Sequence, residues 1–64
     1  MQTIRLTPYN VSQYVGYNIV FHHDNNQIVK RIERVSNGRK TVVIDYPALQ
    51  NNLHIQSRHI KVIV

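Results

Sequence analysis

Lys30, Arg31, Arg34, Arg39 and Lys40 crowd into one short stretch, IVKRIERVSNGRK, with Glu33 as the single acid among them. Cations at this density can neutralise successive phosphates of a polyanion, and such binding falls steeply with salt because counterions are released. Arg58 and Lys61, with His59 between them, extend the patch if the end of the chain lies alongside. Recognition of single strands usually adds aromatic platforms to such a patch. Tyr9, Tyr14, Tyr17 and Tyr46 are available for that, although at least two of them are expected in or near the core.

Other chemistry finds less material. His22, His23 and Asp24 are consecutive, and adjacent residues of an extended chain point to opposite faces, so they make poor joint ligands. His54 and His59 fit no zinc spacing, and the expectation is no metal and no cofactor. All four histidines read as polar loop or strand-end residues. Ser12, Ser36 and Ser57 lack any elbow-like context for a nucleophile. Asp24, Glu33 and Asp45 are too few and too scattered for a carboxylate pair, and Gly16 and Gly38 stand alone rather than in a phosphate-cradling loop. The expectation is a protein without enzymatic activity.

The chain has 64 residues, with eight Lys and Arg against three Asp and Glu and a formal charge of +5. A body this small buries only about 60% of its unfolded surface, so its core is thin. No cysteine is present to supplement it, which fits a reducing cytoplasm. No apolar window approaches the ~18 residues of a membrane span, and the opening MQTIRLTPYN lacks the layout of a signal peptide. These features predict one cytoplasmic domain over residues 1–64. Its positive field draws phosphate polymers or acidic surfaces, or serves solubility alone.

The elements that must position the cations read as strands. In residues 1–6, Gln2, Ile4 and Leu6 alternate with Thr3 and Arg5, a half-buried strand stopped by Thr7-Pro8-Tyr9-Asn10. YVGYNIVF, residues 14–21, puts Tyr17, Ile19 and Phe21 on one face and Asn18 and Val20 on the other. Gly16 there suggests a bulge or a close backbone approach. HHDNNQ reads as an exposed loop. Near the end, Asp45-Tyr46-Pro47 turns the chain, and ALQNN is a connection or one helical turn. LHIQ sets Leu53 and Ile55 on one side, and IKVIV is apolar on both faces, as a central or barrel-closing strand is.

Residues 28–46 admit two readings. Ile28, Val29, Ile32 and Val35 have helical spacing, with Asn25 or Asn26 as a cap and Gly38 as a stop. Against a helix, every apolar residue there is β-branched, the segment would span only about three turns, and Ser36-Asn37-Gly38 is a hairpin signal. A three-residue loop at 36–38 pairs Val35 with Arg39 and Ile32 with Val42. It gathers Ile28, Ile32, Val42, Ile44 and Tyr46 on one face. Arg31, Glu33 and Arg39 then share the outer face with Val29, Val35, Thr41 and Val43, while Lys30, Arg34 and Lys40 project from the other face near its ends. The hairpin accounts for more of the residues than the helix, and the three-residue loop is preferred to a two-residue Asn37-Gly38 turn, whose shift of one position mixes apolar and charged neighbours on both faces.

Read together, VGYNIVF, IVKRIERV, TVVIDY and RHIKVI, across residues 14–64, resemble small Src homology 3-like barrels of the KOW and Sm-like kinds, closest to short bacterial KOW-type proteins. Tyr17 and Gln27 or Ile28 stand where KOW segments usually carry an acid and a glycine. YVGYN with KRIERV is also similar to part of the WYL domain, another Sm-like barrel. The resemblance implies an all-β fold, a five- to six-stranded barrel, and a relationship to proteins that bind RNA, DNA or ribosomal surfaces. The expected function is binding of nucleic acid or a ribonucleoprotein through the cationic hairpin. The alternative is a protein-interaction module or assembly subunit, such as a phage or bacterial accessory protein, using exposed Val29, Val35 and Val43.

Overall fold

Ile19 and Phe21, separated by one residue, are 0% and 1% exposed, while Asn18 and His22 beside them face solvent. This period of two is what a strand with one buried face requires. The computed structural model describes residues 2–36, 38–56 and 59–64, and the protein is all-β. Seven strands are formed among the described residues: β1 (Thr3–Arg5), β2 (Asn18–His23), β3 (Asn26–Arg31), β4 (Arg34–Ser36), β5 (Thr41–Val43), β6 (Asn52–His54) and β7 (Lys61–Ile63). They make two antiparallel sheets, β1-β7-β2-β3 and β4-β5-β6. Short 3-10 turns at Val11–Tyr14 and Pro47–Leu49 complete the regular structure.

Residues 26–31 and 34–36 are strand rather than helix, but the expected hairpin is replaced by two. Asp24 and Asn25 have φ of 51° and 64°, the left-handed pair that a two-residue hairpin turn needs and that Asp and Asn tolerate. HHDNNQ is therefore the tip of a β2–β3 hairpin rather than an open loop, with Phe21 opposite Ile28 and Ile19 opposite Lys30. The tighter connection closes a shorter loop, so β3 is taken by the strand before it. At Ile32 the chain changes sheets. The Ile32 N–H donates to the Tyr17 carbonyl and the Ile32 carbonyl accepts from Gly16, both at 2.9 Å, whereas the Glu33 N–H donates to Val43 at 2.8 Å.

Of the arm expected before the turn, β4 alone pairs with β5, in the register Arg34–Val43, Val35–Val42 and Ser36–Thr41 rather than Val35–Arg39 and Ile32–Val42. Gly38 does take the left-handed conformation (φ 63°), but Arg39 follows it there (φ 68°). Two such residues in succession push Arg39 and Lys40 out of the β4–β5 ladder. Asn37 lies outside the described residues. The expected apolar stripe survives this rearrangement. Ile32, Val42 and Ile44 are buried, and Ile28 and Tyr46 pack against them, although they arrive from both sheets.

Elsewhere the elements are shorter than their patterns suggest. Tyr14 belongs to a 3-10 turn, and Gly16 (φ 92°) has open space where a Cβ would sit, so the backbone angle demands glycine there, not a close approach. β1 is an outermost strand with Thr3, Ile4 and Arg5 all exposed; Leu6 behind it is buried, its N–H donating to Ile60. β7 is central, between β1 and β2, as its two-sided apolar character requires. Leu53 and Ile55 are buried together, and the Pro47 turn ends with Gln50 and Asn51 at positive φ. Leu6, Ile19, Phe21, Ile60 and Val62 meet Val42, Ile44, Leu53 and Ile55 in one cluster.

The sheets do not close into a barrel. The strand expected to run through residues 28–36 breaks at Ile32–Glu33, which raises the strand count above five or six, and no ladder joins β6 to β1 among the described residues. Lys30 projects from the inner side of β3, half-buried beside an otherwise unpaired edge, where an ammonium discourages further strand addition.

The described core has one polar flaw. Thr41 is 4% exposed and its Oγ1 has no hydrogen-bond partner. A buried, unsatisfied hydroxyl costs about 1–3 kcal/mol. Thr41→Val is expected to raise stability by about 1 kcal/mol, read as a higher urea midpoint at unchanged slope; a lower midpoint would show that the hydroxyl is bonded in solution.

Candidate nucleic-acid interface

Burial of Ile19 and Phe21 turns Asn18, Val20 and His22 to the opposite side of β2. The registers then fix what stands beside them. Lys61 lies opposite Val20 on one side, and Arg5 lies opposite Lys61. On the other side Val29 faces Val20, Arg31 faces Asn18 and Gln27 faces His22. Arg5, Lys61, Val20 and Val29 thus form one row across all four strands. Neighbouring strands are about 4.8 Å apart, so Arg31 on β3 lies about 10 Å from the β7 line that carries Lys61. None of these four strands contains an Asp or a Glu. A shallow depression of about 340 Å³ on this face is lined by Val20, His22, Gln27, His59 and Lys61.

A second cationic site lies elsewhere. Pro8, Tyr9, Gly38, Arg39, Lys40 and Gln56 line a groove of about 320 Å³. The Lys40 carbonyl accepts from the Ile55 N–H at 2.9 Å, which ties the end of this loop to the segment after β6.

The cations expected to form one hairpin patch are therefore divided. Arg31 and Lys61 share the outer face of the four-stranded sheet, and Arg39 and Lys40 share the groove. Arg34 is exposed on β4 in the other sheet, and Lys30 sits on the inner side of β3. Arg58 lies outside the described residues. The physical reason is the change of sheet between Ile32 and Glu33, which separates the faces that a continuous hairpin would have joined. Arg5 belongs to the sheet face and was not among the candidates. Its place on the polar side of an alternating strand was visible, but its pairing with Lys61 was not.

The histidines divide as adjacent strand residues must. His22 lines the outer depression, while His23 is half-buried on the inner side, its ring edge-on to Tyr46 at 5.6 Å and its Nε2 3.4 Å from Asp24 Oδ2. No group of three or more potential metal ligands occurs among the described residues. Of the expected apolar surface, Val29 is exposed, Val35 packs against the core and Val43 is half-buried. No helix is long and apolar enough to cross a membrane among the described residues.

Comparisons of the chain with protein-family models, curated proteins and solved structures give no match.

Proposed function

We propose that this protein is a non-enzymatic nucleic-acid-binding domain that docks through the outer face of its four-stranded sheet. One observation carries the reading: Arg5, Arg31 and Lys61 stand on a face whose strands hold no carboxylate, on a chain of net charge +5. Arginine and lysine at strand spacing can follow a phosphate backbone, and Val20 and Val29 between them offer apolar contact to sugars or bases. We read the direct passage from β3 to β4, which carries the chain from one sheet to the other at Ile32–Glu33, as kinship with Src homology 3-like barrels of the KOW or Sm-like kind, left open between β6 and β1. The absence of cysteine suits work in the cytoplasm.

The test is a titration of the protein with labelled oligonucleotide at several salt concentrations. With three phosphates neutralised, affinity is expected to fall roughly 20- to 40-fold between about 50 and 200 mM salt. Absence of binding at the lower salt removes the proposal. A second reading, contact with a protein or another copy, has one observation in its favour. Val29 is 48% exposed on the outermost strand β3. Elution at monomer mass at high concentration would rule out self-association.

A further inference from the structure

We infer that the groove between the Thr7–Asn10 turn and the Gly38–Lys40 loop seats an unpaired base with its neighbouring phosphate, so that the preferred substrate class is single-stranded nucleic acid. The inference rests on the nucleic-acid reading above and deepens it. It starts from Tyr9, which is 92% exposed, while the other exposed large apolar residues, Ile4, Val15, Tyr17, Val29 and Val64, lie between 40% and 48%. An aromatic ring given almost wholly to water has no role in this core.

The backbone beneath that ring is fixed. The Tyr9 N–H donates to Thr7 Oγ1 at 3.2 Å, and the Thr7 N–H donates to Asn10 Oδ1 at 2.9 Å. The Asn10 Nδ2 donates to the Arg5 carbonyl at 3.1 Å, and the Val11 N–H closes the turn onto the Thr7 carbonyl at 3.0 Å. Pro8 restricts the one remaining residue of the turn. A platform held this way loses little freedom when a base stacks on it.

The rest of the groove supplies what a stacked nucleotide lacks. Arg39 and Lys40 bring two cations for phosphate, Gln56 brings an amide that can donate to and accept from a base edge, and no acid lines the groove among the described residues. A duplex conceals its base faces and can use only the cations. A single strand uses the ring as well, and stacking on an aromatic side chain is a substantial, sequence-tolerant gain.

The experiment titrates the full chain with labelled oligothymidylate and with a labelled duplex of equal length at low salt, reading fluorescence anisotropy. Wild type is expected to prefer the single strand by about ten-fold. Tyr9→Ala should remove that preference by weakening single-strand binding about ten-fold while leaving the duplex unchanged, and Tyr9→Phe should retain it. Substitution of so exposed a residue leaves folding intact. Equal wild-type affinities for strand and duplex, or a Tyr9→Ala variant that binds the single strand like wild type, overturns the inference while the nucleic-acid reading stands. Binding to neither probe overturns both. Tyrosine quenching by a neutral proline-rich peptide, without any oligonucleotide binding, assigns the groove to a protein partner and also overturns both.

Discussion

Reversing two charges on one sheet face, in the variant Arg31→Glu/Lys61→Glu, is expected to weaken binding of a single-stranded oligonucleotide about 100-fold at about 50 mM salt. Each phosphate contact on a single strand adds about 0.7 to the slope of log affinity against log salt. At about 50 mM, some 1.3 decades below 1 M, one contact therefore contributes roughly a factor of eight, and two contribute roughly 65. Repulsion from the introduced carboxylates supplies the remainder, and the slope itself should fall by about 1.4. Arg31 and Lys61 are both exposed, so the fold should tolerate the change.

The informative control is Arg34→Glu. Arg34 lies next to Arg31 in the cationic run, but it stands on β4 in the other sheet. If the phosphate track follows the face of the four-stranded sheet, this variant should bind within about three-fold of wild type. One exposed charge off the track acts only at long range and through screening salt. Should Arg34→Glu lose as much affinity as the double variant, the track runs over β4–β5 and the sheet-face assignment is wrong. Anisotropy titrations of the three proteins at two salt concentrations decide it.

The second large effect concerns stability. Phe21→Ala should leave the protein largely unfolded at 25 °C. Phe21 is 1% exposed, lies opposite Ile28 and meets the Tyr46 ring edge-on at 5.8 Å. Truncating a buried Phe to Ala costs about 3–5 kcal/mol, and loss of the aromatic pair adds about 0.5–1.5. A domain of this length has on the order of 3–5 kcal/mol in total, so the loss matches or exceeds the reserve. Phe21→Leu, which keeps most of the volume, should remain folded at a lower midpoint. Far-ultraviolet circular dichroism during urea titration measures both. A Phe21→Ala protein with a cooperative transition near the wild-type midpoint would mean that the ring does not hold the two sheets together.

Much of the core is legible in the local pattern, but not all of it: Thr41 and Val35, expected on the outer face, are buried or packed against the core, and Val11 is buried without any alternation to mark it. Ile19 with Phe21, Leu53 with Ile55, and Ile60 with Val62 are buried pairs two residues apart, and that alternation is written locally because a strand turns successive side chains to opposite faces. Ile32, Val42 and Ile44 were legible as core for the same reason. The choice of strand over helix at residues 26–36 also followed locally, from β-branched side chains that lose freedom in a helix.

Which strands lie beside one another, by contrast, is a property of the whole fold. Asp24-Asn25 and the segment after Ser36 are both able to reverse the chain, and the β-branched arm at 26–31 can pair with either flanking strand. That competition is settled by which hairpin closes more tightly and by the demand that Ile32 reach the core, and neither is a property of one segment. The candidate site shared this fate. Arg5 and Lys61 come from opposite ends of the chain and meet only because β7 lies beside β1, whereas Arg31 and Arg34, three positions apart, are divided between two sheets. Charge is fixed by composition, but its pattern on the surface is fixed by register, and register belongs to the whole fold.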